Sequence, residues 1–330
     1  MSSFEYAFDE RWIGEHGIGR FAGELFQRVD GLHGIQLGGK PSGALDPLKT
    51  GLWLLRHPHQ RLFTPGYNAP LFARSRSVIT VHDLNHIDVD EGSSALKRLY
   101  YAQVLKPACR QARRVLTVSA FSRQRIIDWS GASPERVINV GNGVSSVFGV
   151  EAAPGESPST SRYFFCVSNR KSHKNERRLI EAFAEAHLPE DVQLMMTGES
   201  TAELDEQISR LGVASRIRFT GRLDDAQLAA CYRHAIALLF PSLYEGFGLP
   251  VVEAMACGTP VLTSTVTSLP EIAGGAAWLV DPLRVDEIRQ GIERLHDDAD
   301  LRARLRDKGI ERARSFSWER VAERVRLALQ

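Results

Sequence analysis

Cysteine is scarce: Cys109, Cys166, Cys231 and Cys257 are the only four in 330 residues, far apart and with no CxxC pair. That argues against a disulfide framework and against a zinc site built on paired thiols. The apolar runs around them predict reduced, buried side chains. Long hydrophobic runs are also missing, since no stretch reaches the roughly 18 uninterrupted apolar residues that cross a bilayer. The opening residues MSSFEYAFDERW carry acids where a secretory signal would carry a basic and then an apolar run, so a cytoplasmic chain is expected. An excess of charge of one sign is absent as well. Forty-one Lys plus Arg against 40 Asp plus Glu leave a formal charge of +1, which removes the blanket basic field of a non-specific nucleic-acid binder. No nucleic-acid partner is expected, and any basic site must be local.

What is present is an ordinary globular composition, 43% apolar and 25% charged, on a chain long enough for two domains. The stretch 148–163, FGVEAAPGESPSTSRY, has prolines and serines but no hydrophobic period and reads as a linker. The predicted division is a first domain over 1–150, a linker over 151–162, a second domain over 163–315 and an amphipathic C-terminal helix over 316–330 that packs back on the first domain. In the second half, short apolar runs at Tyr163–Val167, Gln193–Thr197, Ile217–Thr220, Ile236–Phe240, Val261–Thr263 and Ala277–Val280 alternate with helical patterns. The first half repeats the style at Val78–Val81, Val115–Val118 and Val137–Val140, with a long helical segment over 94–112 in which Pro107 predicts a break or kink. Alternating β and α predicts an α/β fold of two doubly wound, Rossmann-like domains with parallel sheets, facing a cleft. Ligands of such sheets bind beyond the carboxyl ends of the strands.

Two segments follow strands and carry chemistry. FPSLYEGFGLPVVEAMACGTPVL, from Phe240 to Leu262, leaves a strand through Glu245, Gly246, Phe247, Gly248 and Leu249 and enters a helix with Pro250 in its first turn. Backbone amides at that helix start attract a phosphate or sugar hydroxyl. Glu253 lies about one turn into the helix, so a loop carboxylate and a helix carboxylate line one site; the plain alternative is a solvated acid and a complement to the helix dipole. The second segment, FFCVSNRKSHKNERRLIEAF, places Ser168, Arg170, Lys171, His173 and Lys174 between a strand and a helix start. Cations there are unfavourable by themselves and suit a phosphate or diphosphate.

The first half offers weaker signals. Gly17-Ile18-Gly19-Arg20-Phe21-Ala22 matches a dinucleotide fingerprint, but loop residues separate it from the preceding apolar run 4–8, so it reads as a glycine loop opening a helix rather than an NAD site. His82 ends a strand, where it contacts a ligand or caps a turn. Asp88-Val89-Asp90 is a DxD triplet without other metal ligands nearby, and no metal is expected. The segment Ser94–Arg114 mixes Lys97, Arg98, Lys106, Arg110, Arg113 and Arg114 with leucines and tyrosines, either a core-facing helix with a solvated basic side or a surface for anionic lipid.

Taken together these residues resemble the retaining GT-B glycosyltransferases of family 4, over nearly the whole chain. The resemblance rests on the E-x7-E motif EGFGLPVVE, on SNRKSHKN, on GIGRF, on VHDL, on TVSAFSRQRI and on VINVGNGVSSVF. It implies that Arg170 and Lys174 bind the donor diphosphate and stabilise the leaving group, that Glu253 holds the ribose, and that Glu245 with the amides of Gly246–Leu249 holds the donor sugar and its phosphate. It further implies that Gly17 and Gly19 close the donor site and that His82 lies beside the sugar. Many members carry Gly-Arg where this chain has Ser168-Asn169, which displaces the arginine to Arg170, while Lys174 keeps its place before Asn175. The implied chemistry is metal-independent hexosyl transfer with retention, with no cofactor, from a nucleotide-diphosphate sugar to a glycan or lipid-linked acceptor. The motif style is similar to bacterial mannosyl- and rhamnosyltransferases of surface-polysaccharide and lipopolysaccharide synthesis, so mannose from GDP-mannose leads, with rhamnose or glucose from another nucleotide sugar next. A lipid-linked acceptor implies peripheral work on the inner face of the cytoplasmic membrane. A non-catalytic glycan-binding relative is the rival of another class, and it should lack the lysine or one motif acid.

Overall fold

Short, fully apolar strands separated by amphipathic helices leave few ways to satisfy the backbone, and parallel sheets covered by helices on both faces are the economical one. The computed structural model describes residues 5–89, 95–152 and 155–330, and the chain falls into two units, one up to Gly143 together with Ser317–Gln330, the other Val144–Phe316. Phe4, Asp90, Ser94 and Pro154, which entered the sequence arguments, lie outside the described residues.

Unit 1 runs β1 (Tyr6–Asp9), α1 (Gly17–Arg28), β2 (Leu32–Ile35), α2 (Asp46–Arg56), β3 (Arg61–Thr64), β4 (Ser77–Thr80), α3 (Asn85–Asp88), α4 (Ala95–Tyr100), α5 (Lys106–Gln111), β5 (Arg114–Thr117), α6 (Ala120–Ser130) and β6 (Val137–Asn139). Unit 2 continues with β7 (Tyr163–Cys166), α7 (Glu176–Glu185), β8 (Gln193–Met196), α8 (Ala202–Arg210), β9 (Ile217–Phe219), α9 (Asp225–His234), β10 (Leu238–Phe240), α10 (Leu249–Ala256), β11 (Val261–Ser264), α11 (Leu269–Ala273), β12 (Trp278–Val280), α12 (Val285–Asp297) and α13 (Ala299–Ala313). The last helix, α14 (Trp318–Leu329), belongs to unit 1. There Tyr6 donates to the Leu329 carbonyl at 2.8 Å and Trp318 meets the edge of Phe21.

The sheet of unit 1 has the order β2-β1-β3-β4-β5-β6 and that of unit 2 the order β12-β11-β10-β7-β8-β9. Each strand pair within them is parallel. In unit 2, Phe164, Leu194, Leu239 and Leu262 face one core with Phe183, Ile288 and Ile292, and Phe165, on the opposite side of β7, meets Tyr232 edge-on. Local chemistry places the helix starts. Asp224 and Gln227 form a capping box on α9, and Ser119 and Ser317 cap α6 and α14. The four cysteines are free and buried. Burial pushes the Cys109 thiol up to about 12, which keeps it protonated and unreactive.

Two expectations are corrected here. The sheet of unit 1 gains β1, β2 and β3 over the three strands read from the sequence; these are four-residue runs such as LHGI and YAFD, too short and too mixed for a periodicity to emerge. The helix over 95–111 is not broken by Pro107, and of the expected break or kink only a local distortion is found. A π-helical turn at Tyr101–Leu105 widens the backbone just before the proline and absorbs its missing donor and its clash with the preceding turn.

Candidate active site

The sheet of unit 2 changes its direction of winding between β10 and β7, so the loops after these two strands diverge and leave a crevice. The two sequence segments singled out above are those loops. After β7 the chain makes a 3-10 turn, Ser172–Lys174, and then Asn175 adopts φ 60°, a left-handed conformation that asparagine tolerates better than most residues. Its side-chain amide donates to the carbonyls of Pro241 at 2.9 Å and Pro282 at 2.7 Å. Leu243 N–H donates to the His173 carbonyl at 2.7 Å. The two loops are therefore tied together by buried polar contacts.

That tie brings Lys174 to Glu245. Lys174 Nζ donates to Glu245 Oε1 at 2.6 Å, with the side chains only 12% and 13% exposed, and the ammonium lies 4.8 Å from the centre of the Phe240 ring. Glu245 is fixed through its own backbone: its N–H donates to Thr267 Oγ1 at 3.2 Å, while Ser268 Oγ donates to the Glu245 and Phe247 carbonyls at 2.9 and 3.0 Å. The loop ends at Gly248, φ +99°, where a Cβ would stand 2.7 Å from Leu269 Cδ2, so only glycine fits before α10 begins. Gly246 and Leu249 flank this turn. Phe247 is buried edge-on against Phe316 at 5.5 Å. Its ring anchors the loop, and only its backbone is available to a ligand. On α10, Glu253 is 5% exposed and accepts from Tyr232 Oη at 3.0 Å.

The arrangement is a buried ion pair at the mouth of a helix N-terminus. A buried ammonium close in sequence and space to the amide end of a helix is chemistry suited to an anion. Arg170, expected on the diphosphate, contacts other parts of the chain in this structure. Its backbone turns to φ 62°, and the guanidinium donates to the Glu199 carbonyl at 2.6 Å, to the Thr197 carbonyl and to Glu176. With three of its five N–H donors on the chain, Arg170 braces the loop. Ser168 is likewise a clasp: its N–H donates to Thr197 Oγ1 at 2.9 Å, and Thr197 Oγ1 donates back to its carbonyl.

The remaining expected residues lie in unit 1. Gly17 and Gly19 open α1, but the Gly19 amide is already taken by His16 Nδ1 at 3.0 Å. A Cβ on Gly19 would overlap the Gly14 backbone, so close packing explains that glycine. His82 is buried, donates from Nε2 to the Pro65 carbonyl at 2.9 Å and stands edge-on to Phe21. Burial lowers its pKa below the ordinary value, so the ring is neutral near pH 7. Asp88 pairs with Arg125 at 2.6 Å, and among the described residues no group of three potential metal ligands is found.

A feature that sequence reasoning missed sits after β1 and β3 of unit 1. Arg11 donates to Asp9 and to Asp46 at 2.7 Å each, and Asn68 Nδ2 donates to both acids at 2.9 Å while accepting from Trp12 Nε1 at 2.7 Å. The two acids raise the Arg11 pKa although its own burial opposes this, and burial raises that of Asp46. Beside it lies a cavity of about 400 Å³ lined by Trp12, Tyr67, Asn68, His86, Lys97 and Tyr100 among others. The only hint in the sequence is an acid and an arginine directly after an apolar run.

The chain is similar to known proteins in sequence and in fold. A family model described as "Glycosyl transferases group 1" matches residues 150–312, and one described as "Glycosyl transferase 4-like domain" matches residues 27–143. The chain is 30% identical over 298 residues to O-antigen chain mannosyltransferase B of Escherichia coli, covering 83% of this chain and 77% of that one. It is 35% identical over 234 residues to MMP alpha-(1->4)-mannosyltransferase of Mycolicibacterium hassiacum, covering 69% of this chain and 56%, a little over half, of that relative. Anabaena HepE, solved in complex with UDP-glucose, superposes with a TM-score of 0.76 at 20% identity over 98% of both chains, a likeness of fold.

Proposed function

We propose, from the premise that the chain belongs to the family 4 glycosyltransferases of GT-B fold, that it moves mannose from GDP-mannose onto a glycan or lipid-linked acceptor in surface-polysaccharide synthesis. The single observation that carries the reading is the Lys174–Glu245 pair at the switch point of the unit 2 sheet. Two relatives named as mannosyltransferases support the sugar. Both elements a non-catalytic relative should lose, the lysine and the two motif acids, are present.

In this reading the donor diphosphate takes Lys174 as its counter-charge and the amides of Gly246, Gly248 and Leu249 as hydrogen-bond donors. As the bond from the anomeric carbon to the phosphate oxygen breaks, negative charge grows on the leaving GDP, and a cation and a helix terminus aimed there stabilise the transition state more than the ground state. Glu245, released from part of its hold on Lys174, accepts from the sugar hydroxyls. Glu253, steadied by Tyr232, accepts from the ribose. The acceptor hydroxyl attacks the face the leaving group departs from and passes its proton to the departing phosphate oxygen, which retains the configuration. The charge on the leaving group is met by protein groups alone, without metal or cofactor. In unit 1, the aromatic cavity beside Trp12 and Tyr100 receives the acceptor saccharide. A lipid-linked acceptor places the enzyme peripherally on the inner face of the cytoplasmic membrane; among the described residues no helix is long and apolar enough to cross it.

The test is release of GDP from GDP-mannose by the purified chain, with water or an extracted glycolipid fraction as acceptor and the product followed by mass spectrometry. A mannosylated product, or free mannose with stoichiometric GDP, is expected. Turnover of UDP-glucose with GDP-mannose untouched would overturn the donor, and no turnover of any nucleotide sugar would overturn the enzyme.

A further inference from the structure

The basic segment between Ser94 and Arg114 does not present its cations as one face. Lys106 lies over the Trp129 ring, Arg110 donates to the Ser130 carbonyl and Arg113 to the Gln330 carbonyl, and Arg114 enters β5. Lys97 and Arg98 lie beside two exposed leucines, Leu96 and Leu99. The strongest unpartnered apolar face lies elsewhere, on α2. Its inner side, Pro47, Thr50, Gly51 and Leu54, is buried. Its outer side carries Leu45, at its N-cap, with Leu48, Leu52 and Leu55 at intervals of three, four and three, exposed by 66%, 40%, 37% and 54%. Phe72, also exposed, adjoins the helix at Gly51. Four leucines in one stripe are far from the scattered apolar residues of an ordinary surface.

The charge around the stripe selects its occupant. Between Asp30 and Asp83 the chain has one acid, Asp46, against Lys40, Lys49, Arg56, Arg61, Arg74 and Arg76. That one acid is buried, its oxygens taken by Arg11 and Asn68. Lys40, Lys49 and Arg56 are exposed, so the leucine stripe lies in a segment, 31–82, whose exposed charges are all cations. A second copy of the chain meeting this face about a two-fold axis would bring like charges together with nothing to pair them. An anionic bilayer accepts both parts, leucines at the acyl boundary and cations at the phosphates. We infer that α2 is the surface by which this chain docks on an anionic membrane. Pro41–Ala44, which lead into α2, wall the unit 1 cavity together with Leu96 and Lys97, so a lipid-linked acceptor held at this face has a short path to it. For its purpose the inference rests on the proposed transfer to such an acceptor; its test does not.

The full chain is sedimented with vesicles of pure phosphatidylcholine and with vesicles containing phosphatidylglycerol, without donor. Binding to the anionic vesicles alone is expected, released at high salt. Leu48→Gln with Leu52→Gln, and separately Lys49→Glu with Arg56→Glu, should each lower the bound fraction about tenfold, while GDP release from GDP-mannose with water as acceptor stays at the parent level. Lys106→Glu, on the helix facing Trp129, should leave vesicle binding unchanged. Equal binding to both vesicle types, or unchanged binding in both α2 variants with their melting temperatures intact, would overturn the inference. So would a parent dimer that the leucine changes convert to monomer without any vesicle binding, since that assigns the stripe to a second copy. Vesicle binding with no turnover of any nucleotide sugar would leave the docking face standing and remove the transferase reading.

Discussion

Removing the Lys174 ammonium perturbs two charges at once. In the intact chain the lysine is held 2.6 Å from Glu245, both side chains mostly buried, so the local charge is near zero and the ammonium is already oriented. Lys174→Ala deletes the group that meets the charge growing on the leaving diphosphate and strands a buried carboxylate beside it. Two unit charges about 4 Å apart at an effective dielectric of about 20 interact by about 4 kcal/mol, and loss of one preorganised electrostatic donor lowers turnover about 100- to 1000-fold. A fall of at least about a hundredfold in GDP release is therefore expected, with the melting temperature near that of the parent. Adding Glu245→Gln removes the stranded charge, so donor affinity should recover by several-fold while turnover stays low, because no cation has been restored. Turnover in folded Lys174→Ala within about threefold of the parent would refute the reasoning.

Other outcomes follow from individual contacts. Glu253→Ala should weaken GDP binding by about ten- to a hundredfold, the worth of hydrogen bonds to a charged group, and calorimetry that finds parent-like affinity would remove the ribose role. Glu245→Ala should instead lower turnover of the bound donor more than its affinity, which separate fits of kcat and KM will distinguish. Arg170→Ala, whose guanidinium is spent on Thr197, Glu199 and Glu176, should lower the melting temperature and reduce turnover less than Lys174→Ala, and the reverse order would return Arg170 to the diphosphate. Gly248→Ala, at φ +99° and with its Cβ 2.7 Å from Leu269, should cost about 1–3 kcal/mol of stability, readable by denaturant titration. His82 is held below its ordinary pKa of 6.5 by burial, so the unfolded chain takes up a proton that the fold refuses. Its contribution to stability is complete above that pH and declines as the pH drops through it; His82→Gln should flatten the melting temperature over that window, and an unchanged slope would assign the loss to other groups.

How much of this was legible beforehand depends on what each residue's neighbours decide. The strands of unit 2 emerge from the sequence because YFFC, QLMM and VLTS are buried on both faces and stay apolar throughout. Lys174 and Glu245 were legible because each follows a strand by a few residues, and parallel topology brings such loops to one end of a sheet. Arg170 is expected beside Lys174 for the same reason. It shares the loop with Lys174, but its left-handed backbone, unfavourable for a side chain of that size and not visible as a pattern, turns the guanidinium toward β8. The Phe247 ring finds its partner in Phe316, 69 positions away, a pairing no local pattern announces. The Asp9–Arg11–Asp46–Asn68 network joins residues from β1, α2 and the loop after β3, and no local spacing announces a cluster assembled that way. The leucine stripe of α2 was readable as a period, but its exposure was not, because a stripe at that spacing ordinarily faces a core.

Titration calorimetry of the parent chain with GDP-mannose and with UDP-glucose, each competed by its own nucleoside diphosphate, tests the central claim most directly. The account predicts saturable binding of GDP-mannose that GDP displaces and Lys174→Ala weakens, with UDP-glucose weaker by at least about tenfold. Tighter binding of UDP-glucose, or GDP-mannose affinity unchanged by the loss of Lys174 in a folded protein, would contradict it.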